Sequence, residues 1–162
     1  MTIKAPAIGK HHNDRRLGQK GTAAVEFALI APALLLLVLG GVQLALVLAN
    51  YVALTNAANV GAMQFAISRS DTTPYTHTVA AIKAAAPNLT AASLTITLSV
   101  NGTACSSDSA CQTALTNAAP SSGGSLQPAS VTVSYPCGSQ WTWYSFWPTS
   151  CQLTSSMTEG VQ

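Results

Sequence analysis

Gly21-Thr22-Ala23-Ala24-Val25-Glu26-Phe27-Ala28-Leu29-Ile30-Ala31-Pro32 opens the stretch that decides the fold, and Ala33-Leu34-Leu35-Leu36-Leu37-Val38-Leu39 carries it onward. Glu26 is the sole charge between Lys20 and Arg69. From Phe27 through Ala49 there are 23 residues without a charge, interrupted only by Pro32, Gly40, Gly41 and Gln43. At about 1.5 Å of rise per residue such a run reaches about 34 Å, enough for a hydrocarbon layer of about 30 Å with some tilt. A buried core helix seldom sustains that length without an amphipathic break, so the stretch reads as a membrane-spanning helix. A carboxylate at its mouth costs a few kcal/mol in hydrocarbon and by default calls for a partner.

Working outward, the charges divide sharply. Only 7% of the 162 residues are charged, against about 25% in ordinary soluble domains. Lys4, Lys10, Asp14, Arg15, Arg16 and Lys20 put a net +4 on the first 20 residues. The remainder sets Arg69 and Lys83 against Glu26, Asp71, Asp108 and Glu159, a net −2, and the two parts sum to the +2 of the whole chain. A basic arm leading into an apolar helix is a topology signal, which keeps the N-terminus cytoplasmic and sends the rest of the chain outside. Nucleic-acid binding is the poorer reading of that arm.

Residues 1–20 read as a disordered leader. Helical character continues past the apolar run, because Tyr51, Val52, Leu54, Ala57, Ala58, Gly61, Ala62, Phe65 and Ala66 recur at steps of three and four. The spacing predicts one helix over about 22–68, kinked at Pro32, with its second half in solvent or against partners. Arg69-Ser70-Asp71-Thr72-Thr73-Pro74 ends it. A short helix is expected over Thr76–Ala86, with Val79, Ile82 and Ala86 on its buried stripe and Pro87-Asn88 as its stop.

Leu94, Ile96, Leu98 and Val100 alternate with Thr95, Thr97 and Ser99, which predicts a half-buried strand closed by the Asn101-Gly102 turn. Thr103 to Gly124 reads as loop, with at most one helical turn near Gln112–Asn117. Val131, Val133 and Tyr135 alternate in a second strand that Pro136 ends, and Gln152–Met157 is available as a third. The expected fold class is α+β: a long N-terminal transmembrane helix, then a small disulfide-linked head of roughly 90 residues with a two- or three-stranded antiparallel sheet. The expected organisation is a basic cytoplasmic leader (1–21), the helix (22–68) and the extracytoplasmic head (69–162). A core that thin is commonly cross-linked.

Cys105, Cys111, Cys137 and Cys151 all fall beyond the apolar run and are even in number, which suits an oxidising compartment. Of the three possible pairings, Cys105–Cys111 and Cys137–Cys151 each close a short local loop and are favoured. Zinc is a poor reading, since neither spacing is CxxC and no His lies near. No catalytic set emerges: His11 and His12 lie in the leader, and Asp71, His77, Asp108 and Glu159 look isolated. An Asp71–His77 triad with a hydroxyl is conceivable, but a loop and its cap explain those residues more simply. Nothing calls for a cofactor or a metal.

All three tryptophans fall within seven residues, in Trp141-Thr142-Trp143-Tyr144-Ser145-Phe146-Trp147. Trp141, Trp143, Tyr144 and Trp147 offer a contact surface for sugars or partner proteins; the plainer reading is a core plug beneath the Cys137–Cys151 loop. Asn88-Leu89-Thr90 and Asn101-Gly102-Thr103 match the glycosylation sequon, a pattern common by chance in Thr-rich segments.

A glycine after a basic leader, a carboxylate at the fifth residue beyond it and an aromatic next resemble a class III prepilin signal. Together with Ala28-Leu29-Ile30-Ala31-Pro32 and the later Leu54-Thr55-Asn56-Ala57-Ala58, residues 21–63 resemble the TadE-like family of pseudopilins of tight-adherence (Flp-type) pilus systems. The resemblance implies that a prepilin peptidase cuts the Gly21–Thr22 bond, making Glu26 the fifth residue of the mature chain with Phe27 beside it. It implies that Glu26 pairs with the new α-amino group of a neighbouring subunit, because either charge alone is costly in a low dielectric. The implied setting is the bacterial cytoplasmic (inner) membrane, single-pass, in pilus assembly or surface attachment. Other pilin or pseudopilin subunits and membrane platform proteins would be the partners. Two other readings compete. In one, Val47-Leu48-Ala49 is a signal-peptide cleavage site before Asn50, giving a secreted binding protein. In the other, the chain is a single-pass envelope enzyme, which lacks any acid–base or nucleophile set.

Overall fold

The computed structural model describes residues 14–118, 125–137 and 151–162, with the side chains of 14–20 left out. The chain divides into two compact units, Met1–Leu44 and Ala45–Gln162.

In the first unit the described residues belong to α1, which spans Asp14–Ile67 and crosses the unit boundary. The helix begins eight residues before the expected start, a correction to the reading of 1–20 as wholly irregular. Arg15, Arg16, Leu17, Gln19 and Lys20 are all good helix formers. The apolar side chains that follow face outward: Phe27 is 70% exposed, Leu29 75% and Leu37 73%. Pro32 lies inside the helix without ending it. Among the described residues this is the one helix long and apolar enough to cross a membrane, and its apolar window is wholly unburied.

In the second unit α1 changes character. Leu54, Ala57, Ala58, Ala62, Phe65 and Ala66 are buried in the core, whereas Tyr51 and Val52 are exposed. The stripe of small residues therefore packs on the head of its own chain, which corrects the expectation that this half lies in solvent or against partners. Small residues are needed because the helix sits close: a β-carbon on Gly61 would come within 3.3 Å of Val131 Cγ1.

A 3₁₀ turn over Ser68–Ser70 ends α1, and the Gln162 N–H donates to the Ala66 carbonyl at 3.1 Å, satisfying one of the orphan carbonyls of the helix end. Helix α2, Pro74–Ala85, starts with proline in its first turn, where no N–H is missed. Its buried residues are Pro74, Thr78 and Ile82, with Ala86 after its end. Thr78, rather than the expected Val79, occupies the middle of that stripe.

The sheet has four antiparallel strands, in the order Thr103–Cys105, Thr95–Val100, Pro128–Pro136 and Gln152–Gly160, where two or three were expected. Strand β1, Thr95–Val100, turns through Asn101 (φ 50°) and Gly102 (φ 78°) into β2, Thr103–Cys105. Two successive left-handed residues are what a two-residue hairpin of right-handed twist requires. Strand β3, Pro128–Pro136, pairs with β1 from Thr95↔Ser134 to Val100↔Ala129. Strand β4, Gln152–Gly160, pairs with β3 from Pro136↔Gln152 to Pro128↔Gly160.

One face of the sheet is core: Leu98, Val100, Ala129, Val131, Val133 and Tyr135 are all at most 4% exposed. The other face carries serine and threonine, with hydroxyl pairs across β3 and β4 at Ser130–Thr158 (2.8 Å), Thr132–Ser156 (3.0 Å) and Ser134–Thr154 (3.1 Å). Between β2 and β3, helix α3 spans Asp108–Asn117, three turns where at most one was expected. Ser107 caps it by accepting the Ala110 N–H, and Cys111 and Leu115 are its buried pair.

Candidate functional site

Gly21, Thr22, Glu26 and Phe27 lie on one continuous helical segment and are all exposed. Among the described residues a β-carbon on Gly21 would meet nothing within 4 Å, so none of them makes a packing demand that explains the glycine. Among the described residues Glu26 has no ion pair; the one recorded joins His77 and Asp71. A helix segment in which Glu26 is the one charge between Lys20 and Arg69, followed by a largely exposed apolar run, can insert in a bilayer and offer one negative charge near its boundary.

The head holds a second polar group, which sequence reasoning scattered. Asp71 Oδ2 is 2.6 Å from His77 Nδ1, and Asp71 Oδ1 accepts the Thr73 N–H at 3.0 Å. Thr73 Oγ1 lies 3.4 Å both from His77 Nε2 and from Asp71 Oδ1. Asp108, 32 residues away, accepts the Thr76 N–H at 2.9 Å and its hydroxyl at 2.7 Å. Asp71 and Asp108, expected to be isolated, are thus both bonded, and His77 has a partner. The Thr73 N–H, helped by His77, holds the Asp71 carboxyl below the usual range. The Thr76 N–H and hydroxyl do the same for Asp108. Both acids sit beside the first turn of α2, where the helix dipole favours negative charge. The Thr73 hydroxyl is shared between acid and imidazole at long distances, and the group braces the α1–α2 connection and the start of α3. A cheaper signal was available: Asp two residues before Thr, at a helix start, is a local turn pattern.

Cys105–Cys111 and Cys137–Cys151 are disulfides, with Cα separations of 5.1 and 5.4 Å. The first joins β2 to α3, and the second closes the β3–β4 hairpin, where the Cys137 N–H also donates to the Cys151 carbonyl. Among the described residues no group of three or more His, Cys, Asp or Glu could hold a metal. Trp141, Trp143, Tyr144 and Trp147 lie outside the described residues.

Residues 21–63 match the family model of TadE-like protein. The match covers Gly21, Glu26, Phe27, the exposed apolar run and the beginning of the buried stripe of α1. No curated protein and no solved structure matches the chain. The family match and the exposed apolar helix together point to a pilus-associated membrane protein.

Proposed function

We propose that this chain is a membrane-anchored minor pseudopilin of a tight-adherence (Flp-type) pilus system, acting in pilus assembly or surface attachment. The observation that carries the reading is Glu26, one exposed carboxylate five residues beyond Gly21 at the head of an apolar helix inside the matched segment. Cleavage of the Gly21–Thr22 bond by a prepilin peptidase frees an α-amino group next to that helix. Glu26 of one subunit then meets the amino group of a neighbour. In a low dielectric each charge is costly alone and the pair is strongly attractive, so a subunit displaced along the stack leaves both charges unmet. The basic leader stays on the cytoplasmic side of the inner membrane and the disulfide-linked head faces outward. Other pilin-like subunits and membrane platform proteins are its partners, and the tryptophan segment is available as a contact surface.

N-terminal sequencing of the mature protein tests this directly. A first residue of Thr22 is expected. A mature chain beginning at Asn50 would instead mean a secreted protein released from a signal peptide, and the pseudopilin reading would fall.

A further inference from the structure

The two edges of the sheet are built to meet. In an antiparallel ladder alternate residues bond to one side and then the other. The Cys137 N–H to Cys151 carbonyl bond and the Val161 N–H to Gln127 carbonyl bond fix the phase of β4. Its odd-numbered residues bond to β3, so Thr154, Ser156 and Thr158 turn their N–H and carbonyl groups away from the sheet. The Asn101 N–H to Pro128 carbonyl bond fixes β1 in the same way. Even-numbered residues of β1 face β2, Leu98 and Val100 lie opposite Cys105 and Thr103, and Ala104 is left with its own backbone groups pointing outward. The outward-bonding residues of both edges thus carry their side chains on the same hydroxyl-rich face. Joined edge to edge, two sheets keep their apolar faces on one side.

The flanking surfaces agree. Val52 and Met63 of α1 are 61% and 57% exposed. Val52 lines a hollow together with Met157 of β4, and Met63 lines another together with Glu159, so an uncharged stripe of α1, in which Asn56 and Asn59 separate Val52 from Met63, runs beside the β4 edge. Beside β2 is a depression of about 510 Å³ walled by uncharged residues, among them Val100, Asn101, Thr103, Ala110, Asn117 and Gln127. Neither β2 nor the hairpin before it carries a charge, so Glu159, the single charge on β4, meets no like charge there.

We propose that β4 of one copy pairs antiparallel with β2 of a second copy. The sheet continues head to tail, and the α1 stripe of the first copy faces the depression of the second. The direction of the strands permits this by translation alone: β4 runs with β1 and against β2. A β4–β4 pairing would relate copies by a two-fold axis normal to the sheet and reverse residues 45–67 of α1 in the second copy. Head-to-tail pairing keeps them parallel, as copies anchored in one bilayer require; to that extent the inference rests on the membrane-anchored reading. A heterologous contact of this kind propagates rather than closing.

The test is cross-linking of the full-length protein in its own membrane. Hydrogen-bonded antiparallel partners have Cα atoms about 5.5 Å apart, within disulfide range. Within one copy the two edges are three strand spacings apart, about 14 Å, and cannot be joined. Ala104→Cys combined with Thr154→Cys, Ser156→Cys or Thr158→Cys should, on mild oxidation, give a ladder of multimers in at least one combination. Ser156→Cys alone should give none. Dimers from Ser156→Cys alone, or no ladder in any combination, would overturn the pairing. Proline at 156 removes the outward N–H and the hydroxyl that faces Thr132, and leaves the backbone bonds to β3. Ser156→Pro added to Ala104→Cys/Thr154→Cys or to Ala104→Cys/Thr158→Cys should therefore abolish the ladder, whereas Ser156→Ala, which loses the same hydroxyl and keeps the N–H, should leave it; a ladder that persists with proline also defeats the proposal. A mature N-terminus at Thr22 without a ladder would sink the pairing and leave the pseudopilin reading; Asn50 with a ladder would do the reverse.

Discussion

Gly61 of α1 and Ile82 of α2 meet without room for a methyl group: a β-carbon on Gly61 would lie 2.5 Å from Ile82 Cγ1. Ile82 is fully buried, so it has little space in which to retreat. Gly61→Ala gains helix propensity but overpacks this contact, and the second effect is larger. A net loss of about 1–3 kcal/mol is expected, read as a lower denaturation midpoint of the full chain in detergent.

Thr78 gives the opposite sign. Its side chain is fully buried and its hydroxyl has no hydrogen-bond partner among the described residues. Thr78→Val keeps the shape and removes an unsatisfied polar atom, so stability should rise by about 1 kcal/mol. An equal or lower midpoint for the valine variant would mean that the hydroxyl is satisfied in solution.

Acid should loosen the α1–α2 connection. Asp71 and Asp108 have carboxyls held below the ordinary 3.8 by hydrogen bonds in the folded state. The unfolded chain therefore binds more protons through this range, and stability rises with pH there. Their contribution is fully present above pH 3.8 and disappears as pH falls below it, through the folded values. Asp71→Asn and Asp108→Asn should each be less stable than the parent at pH 7 and differ less at pH 2–3. Parallel denaturation series at the two pH values provide the measurement.

The two disulfides should differ in weight. They close loops of 14 and 6 residues of sequence separation. Chain-entropy arguments assign about 3 kcal/mol to the longer loop and about 2 kcal/mol to the shorter. Replacing Cys137 and Cys151 together by alanine should thus lower stability more than replacing Cys105 and Cys111 by alanine. Cys111 and Cys137 are both buried, and serine at either would add the cost of a buried hydroxyl, which is why alanine is the fair comparison at both pairs.

Glu26→Gln and Glu26→Ala should leave membrane insertion intact, or ease it, while impairing incorporation into pili. Carbonate extraction reports insertion and shear-released pili report incorporation. Undiminished incorporation of the glutamine variant would remove the pairing role.

The long helix, the hydroxyl–apolar alternation of β1 and β3 and both cysteine pairs were legible because each rests on a local or strictly periodic signal. The head's second helix was legible in place but not in phase: Thr78 took the central position because the stripe steps by four from Pro74 to Ala86. β2 and α3 were missed for different reasons. Three residues are too few to show alternation, and Thr103–Cys105 is a strand because the Asn101-Gly102 turn returns it onto β1. In α3, Ser, Thr, Cys and Asn dilute the helical propensity; the Ser107 cap, the Cys105 bridge and two buried residues hold it instead. The Asp71–His77 and Asp108–Thr76 contacts depend on how α2 and α3 pack, which no single-chain periodicity reveals. Glu26 is the reverse case, visible at once in the sequence and given no partner by the described part of the fold.

The outer face of the sheet has one more consequence. Thr95, Thr97, Ser99, Ser130, Thr132, Ser134, Thr154, Ser156 and Thr158 cover it, and none of them ionises near neutrality. Salt has no charge there to screen, and a shift in acidity has no proton to add or remove. That side of the protein presents the same chemistry to brackish, fresh or acidified surroundings, and wetting it takes only water exchanging places among hydroxyls.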